Sequence, residues 1–210
     1  RITRHMRSNA RILDELPEPI SFDPRDRTAV STRVAFTGRT LVGAPVELTF
    51  KPGEVVEMPE LFTLEGMPFD LEERRGRVQL IVVWNLGSVQ FRRELVPVLA
   101  MRDFCKQVPG DVPVDMWLLN TRETTETTET GGGKWDAVFE FWSSRDYEID
   151  CLFDDTNAAA ERLGIRDLPV AIVIDGAGRL VGTQGGLDSS WPELVRELVN
   201  TAVRNSADAE

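Results

Sequence analysis

Apolar residues along this chain fall into short runs whose spacing changes from two to three-and-a-half and back. Val34, Phe36, Leu41, Val42, Val46, Leu48 and Phe50 make partly alternating runs broken at Gly38, Gly43 and Lys51-Pro52-Gly53. That pattern predicts a small β extension over residues 31–56. Arg77–Trp84 (RVQLIVVW) is a continuous apolar, β-branched run between Gly76 and Asn85-Leu86-Gly87, which suits a central strand buried on both faces. Phe91, Leu95, Val98, Met101 and Cys105 then recur every three or four residues, the stripe of an amphipathic helix. Val112–Leu119 predicts a second strand. Trp135, Val138, Phe139 and Trp142 predict a second helix at i, i+3, i+4 and i+7. Tyr147–Phe153 reads as a strand, Thr156–Leu163 as a short alanine-rich helix and Val170–Ile174 as a strand. Asp175–Gly178 is the turn of a hairpin that returns over Leu180–Thr183. Ser190 and Glu193 have the spacing of a capping box, and the stripe Leu194, Val195, Leu198, Val199, Ala202, Val203 makes a closing helix. Strands and helices in this order predict an α/β domain, a mixed central sheet flanked by helices.

Composition shifts divide the chain further. Residues 1–30 are polar and carry Pro17, Pro19 and Pro24, the marks of an arm or linker; the core domain is placed at 57–205, with 206–210 as a tail. Glu123–Gly133 (ETTETTETGGG) is low in complexity and is expected to be a mobile loop. Hydrophobic residues at 41% supply a core, and a net charge of −11 argues against a nucleic-acid groove or a polybasic membrane patch. The charge serves solubility, or forms an acidic face that meets a basic partner. No run approaches the roughly 18–20 apolar residues of a membrane span.

Counts of reactive residues exclude much chemistry. The one histidine, His5, lies in the polar arm, so a Ser-His-Asp triad or a two-histidine metal site has no material. Cys105 and Cys151 stand far apart in no motif; they read as small buried apolar side chains, with neither metal nor cofactor expected. Gly131-Gly132-Gly133-Lys134 lacks the first glycine and the Ser or Thr of a phosphate loop, having Thr128 and Trp135 there. Asp150, Asp154 and Asp155 are better explained by capping of the helix that follows than by a cation. Arg74, Arg75, Arg77, Arg92 and Arg93 form a solvated basic face, or a spot for an anionic partner.

Several local passages stand in one familiar order. Pro59, Phe62, Leu64, Gly66, Leu71 and Gly76 precede the first core strand, which ends at Trp84; Arg92-Arg93-Glu94-Leu95 follows. Leu152-Phe153-Asp154-Asp155 leads to Ala160, Leu163, Gly164, Ile165 and Arg166, then Leu168-Pro169-Val170 and Ile172–Arg179 (IVIDGAGR). Over residues 57–188 the chain resembles the thioredoxin superfamily, in its extracytoplasmic TlpA/ResA and AhpC/TSA-like branch. The resemblance implies a thioredoxin-like fold, a cis-proline at Pro169 beside the active site, and an extracytoplasmic, periplasmic or membrane-associated location. It leaves room for membrane association through a segment preceding Arg1.

The departure from the pattern decides the functional expectation. Aligned on Arg92-Arg93-Glu94-Leu95, the two redox cysteines of the family fall on Ser88 and Phe91, with Val89-Gln90 between them. Thiol–disulfide exchange needs an attacking thiolate and a resolving thiol, and neither residue supplies one. Ser88 is read as a helix N-cap. Phe91 either fills the core or joins Trp84, Leu168 and Pro169 in an apolar face that grips a partner. The expectation is a redox-inactive thioredoxin-like domain acting as a protein-binding or structural module within a protein complex or larger assembly. The rival is a divergent thiol–disulfide oxidoreductase that works through Cys105 or Cys151.

Overall fold

A computed structural model describes residues 45–88, 91, 95–123, 134–145 and 147–208. The polar arm, the first half of the predicted β extension, Val89, Gln90, Arg92-Arg93-Glu94 and residues 124–133 of the low-complexity tract lie outside the described residues. The chain runs β1 (Leu61–Thr63), β2 (Pro68–Phe69), a 3-10 turn (Glu72–Arg74), β3 (Val78–Trp84), α1 (Leu95–Cys105), β4 (Val114–Thr121), α2 (Lys134–Ser143), β5 (Asp150–Asp154), α3 (Ala158–Leu163), β6 (Val170–Ile174), β7 (Leu180–Gly185) and α4 (Trp191–Ala207). Thr40–Glu210 forms one compact unit.

The strands make one seven-stranded mixed sheet in the order β2-β1-β5-β4-β3-β6-β7. β3 pairs in parallel with β4 and antiparallel with β6, and β4 pairs in parallel with β5. All seven residues of β3 are buried, because both faces of the sheet are covered. Side chains alternate across a strand, so the run divides between two cores. Val78, Leu80, Val82 and Trp84 join α1, α2 and α4 on one face. Ile81 and Val83 join α3 and the N-terminal segment on the other. β6 divides the same way, Ala171 and Val173 to the first core and Val170, Ile172 and Ile174 to the second.

Several boundaries move from their sequence positions for local reasons. β4 begins at Val114, after Pro113, whose ring removes a ladder donor. β5 begins only at Asp150, since Glu148 takes a left-handed φ of 48°. Asn157 is left-handed too, at φ 63°, and holds the start of α3 back to Ala158. The capping box at Ser190 does not form. Ser190 is already helical (φ −87°, ψ −18°) and makes no cap bond with its side chain. Asp188 does that work: its Oδ1 accepts from the backbone N–H groups of Ser190 (2.8 Å) and Trp191 (3.1 Å) and from the Ser190 hydroxyl (2.6 Å).

The described part of the predicted β extension, residues 45–56, runs beside β7 without forming a strand, bending at Thr49-Phe50 and turning at Pro52-Gly53, where Gly53 takes a φ of 89°. Val46, Leu48 and Phe50 are half-buried against the second core while Pro45, Glu47 and Thr49 face solvent, the period of a strand. Its only ladder contact among the described residues is an isolated bridge, Val55 to Arg179. Other bonds fasten it: Val46 N–H donates to Thr183 Oγ1 (2.9 Å), the Thr183 hydroxyl donates to Val46 O (2.6 Å), and Gly53 and Leu180 bond by backbone (2.8 Å). Between them Thr49 N–H donates to Leu163 O (2.9 Å), and this strap lines one side of a cavity of about 540 Å3 whose other side is Leu180, Gly182 and Thr183. An open edge strand is a template for unwanted pairing. β7 is shielded by the strap, and β2, at the other edge, has two residues and begins with Pro68.

Candidate functional site

The loop after β3 and the start of the helix that follows it hold the residues aligned with a redox pair. Ser88 Oγ accepts the backbone N–H of Phe91 at 3.3 Å, which is the N-cap arrangement expected of a serine three residues ahead. Ser88 N–H in turn reaches Asn85 O at 3.1 Å, closing the turn. The Leu168-Pro169 peptide bond is cis, and Pro169 O accepts Gly186 N–H at 3.0 Å, joining that loop to the end of β7.

Phe91 is directed inward. Its ring stacks on Trp84 with centroids 4.5 Å apart and planes 17° from parallel. Phe141 and Trp142 of α2 close on the same indole at 5.5 and 5.9 Å. Trp84 and Phe91 are both 0% exposed, Pro169 is buried and Leu168 half-buried. The apolar face expected from Trp84, Phe91, Leu168 and Pro169 is therefore not a surface. Its two aromatic members are spent on each other, because a phenyl ring recovers more by burial against an indole than by exposure. Trp84 Nε1 is buried without an oxygen or nitrogen acceptor, and the polar group it meets is the Cys151 thiol.

One residue under this loop escaped sequence reading. Glu123, placed there at the head of a mobile loop, is only 6% exposed. Its Oε1 accepts Leu86 N–H at 2.6 Å and Asn120 Nδ2 at 2.7 Å. Glu123 Oε2 and Asn120 Oδ1 are buried without a hydrogen-bond partner. The carboxylate ties residues 85–88 to the end of β4. The available signal was its position just past a buried strand end, which the repetitive Thr-Glu composition after it masked.

Both thiols lie elsewhere, in the first core. Cys105 closes α1 and Cys151 sits in β5; both are buried and neither is in a disulfide. Burial, with the charge of Asp115 adding to it, pushes the Cys105 thiol up to about 12. Burial pushes Cys151 further up, against a smaller opposing influence from the Trp84 side chain. A thiol so shifted has almost no thiolate at neutral pH, and the thiolate is the nucleophile.

Of the three aspartates Asp150, Asp154 and Asp155, Asp154 is the one that caps a helix. Asp154 Oδ1 accepts Ala159 N–H (3.2 Å), and its Oδ2 accepts Ala160 N–H (3.0 Å) and the Thr121 hydroxyl (2.8 Å), so it caps α3. Of the predicted basic spot, the three described arginines are engaged within the fold, and Arg92 and Arg93 lie outside the described residues. Arg74 lies over the rings of Trp117 and Phe69 at 5.0 and 5.7 Å, and Arg75 bonds to Ala177 O and pairs with Glu72. Arg77 grips Asp115 with two nitrogens, its Nε at 2.6 Å. Burial alone would raise the Asp115 carboxyl, but the Arg77 and Gln79 hydrogen bonds and the Arg77 and Arg74 charges hold it below its usual value. No group of three metal-ligating side chains occurs among the described residues.

No family model matches the chain, and no curated protein matches it. Solved structures do. A protein assigned as thiol:disulfide interchange protein DsbE from Chlorobium tepidum is 17% identical, with a TM-score of 0.59 over 73% of this chain and 99% of its own. The exposed lipoprotein thioredoxin of Streptococcus pneumoniae is 19% identical, with a TM-score of 0.51 over 69% of this chain and 99% of its own. A secreted disulfide oxidoreductase of Mycobacterium tuberculosis is 15% identical, with a TM-score of 0.51 over 69% of this chain and 96% of its own. At such identities the likeness is one of fold, and the fold is thioredoxin-like.

Proposed function

We propose that this chain is a redox-inactive thioredoxin-like domain that acts by binding protein, as a recognition or structural module outside the cytoplasm. The observation that carries the reading is the stack of Phe91 on Trp84 at 4.5 Å, with Ser88 occupied as a helix cap. These two positions stand where a dithiol would have to be, and one is a core side chain. Cys105 and Cys151 are buried with raised pKa values, so an oxidoreductase working through either lacks an accessible thiolate. A frame kept without its nucleophile retains a surface, and surfaces bind. The location is supported by the neighbours described as secreted and as an exposed lipoprotein.

The test is thiol titration with an aromatic disulfide beside an insulin-reduction assay on the full chain. Expected are no fast-reacting thiol in native protein, two in denaturant, and no insulin reduction above a dithiothreitol blank. A native thiol reacting within seconds, or catalysed insulin precipitation, overturns the reading.

A further inference from the structure

The cavity between the strap and β7 has a local cause. Backbone pairing would set neighbouring strands about 4.8 Å apart. Val46, however, meets not the backbone of β7 but the Thr183 hydroxyl, which accepts Val46 N–H and donates to Val46 O. A side chain stands where a ladder bond would be, and the space beside it stays open. The backbone ties of Thr49 to Leu163 and of Gly53 to Leu180 fix the rest of the strap. It cannot fall onto β7 without breaking them. The space left, about 540 Å3, is that of a small-molecule site.

Its walls are apolar and its charges are two. Val46, Leu48, Phe50 and Leu180 line it together with Glu47 and Lys51. Both charged side chains are exposed, and neither makes an ion pair or a side-chain hydrogen bond among the described residues. The nearby arginines are occupied. Arg162 pairs with Glu57 while lying over Phe50 at 5.6 Å, and Arg179 Nη1 donates to Gly53 O at 2.8 Å. A ligand with a carboxylate alone would suit Lys51 and be repelled by Glu47; a cationic one would meet the reverse. Glu47 and Lys51 are four residues apart, at most about 14 Å along the chain. A peptide of two or three residues carries an ammonium and a carboxylate about 7–10 Å apart, with apolar side chains between them. We infer that this cavity binds a short apolar peptide with both termini free, its ammonium on Glu47 and its carboxylate on Lys51. The site is separate from the Trp84–Phe91 core and does not rest on the redox reading.

The probe is the tripeptide Leu-Val-Leu, titrated into the nitrogen-15-labelled full chain and followed by amide chemical shifts at about 0.15 M salt. Shifts are expected in residues 46–51 and 180–183, with a dissociation constant at or below about 1 mM. The N-acetylated peptide and the C-terminal amide should each bind about 2- to 5-fold more weakly, the range of an exposed ion pair. Triglycine should bind more than ~10-fold more weakly. Glu47→Gln should erase the difference between free and acetylated peptide, and Lys51→Gln that between acid and amide, each leaving the other difference in place. Glu60→Gln, exposed and off the lining, should change neither. Absence of binding, shifts confined to other residues, or capped peptides that bind as well as the free one would overturn the proposal. So would differences that survive in both variants. Decanoate bound more tightly than the peptide and indifferent to Glu47→Gln would make the cavity an acyl-chain site and overturn it too. Thiol titration is untouched by any of these results.

Discussion

The phenyl ring of Phe91 lies nearly parallel to the indole of Trp84, 4.5 Å between centroids, and both rings are fully buried. Phe91→Ala should therefore be a stability mutation. It removes a fully buried ring and an aromatic pair, a loss of about 3–5 kcal/mol on the scale of large-to-small core changes. Urea unfolding followed by tryptophan fluorescence checks this; a loss under about 1 kcal/mol would mean the site collapses around the void.

Ser88 gives the complementary prediction. It is half-buried, at a helix start, with its Oγ on the Phe91 N–H. Ser88→Cys should create one thiol that reacts in native protein, because a helix N-terminus favours thiolate. Cys105 and Cys151 should stay silent. Mass spectrometry after a brief alkylation distinguishes one adduct from none.

Glu123 anchors Leu86 N–H and Asn120 Nδ2 with one oxygen. Glu123→Ala leaves both donors buried and unmet, with an expected cost of about 1–3 kcal/mol. Hydrogen exchange should show the Leu86 amide losing protection first, since the loop 85–88 is what the carboxylate holds. Equal protection in wild type and variant would show that the loop needs no such anchor.

Asp115 carries a pH dependence whose sign can be worked out. Its folded carboxyl lies below the usual 3.8, so the stabilisation is complete above that value and fades as pH falls through the lower, folded one. Asp115→Asn should flatten the acid limb of stability below about pH 4. Because Arg77 is 41% exposed and water screens the pair, the difference at neutral pH should be about 1 kcal/mol or less. Urea midpoints at pH 7, 4 and 3 for both proteins decide it; parallel acid limbs would place the lost stability elsewhere.

Thr183 supplies two of the strap's ties through one hydroxyl. Thr183→Val keeps the shape and removes both, and should cost about 0.5–1.5 kcal/mol. Limited proteolysis should then cut within residues 45–56 sooner than in wild type. A cutting pattern unchanged by the substitution would show that the backbone bonds of Thr49 to Leu163 and of Gly53 to Leu180 hold the segment without it.

The helices and central strands were readable because their signals were redundant. β3 announced itself by seven apolar or amide residues in a row, and α4 by a stripe sustained over three turns. Residues whose role depends on a partner far away in the chain were hidden. Phe91 could be core or surface until the place of Trp84 was known, and Glu123 looked like part of a polar tract because its donors, Leu86 and Asn120, came from elsewhere. Ser190 and Glu193 matched a capping pattern, yet an acid two residues earlier took the amides, and nothing in the spacing separates the two solutions. The N-terminal segment carried strand periodicity, but its pairing depends on β7, more than a hundred residues downstream.

That separation bears on how the protein is made. Val46 meets Thr183 across 137 residues, so the strap leaves the ribosome long before the strand it shields exists. At about 5–20 residues per second the wait is on the order of ten seconds. Through that interval a half-apolar stretch lacks its partners on β7 and can meet only α3, through Thr49 N–H on Leu163 O and Arg162 over Phe50. The ties of Val46 and Gly53 to β7 can therefore form only after translation has passed Thr183, whereas the bond from Thr49 N–H to Leu163 O needs the chain only as far as α3.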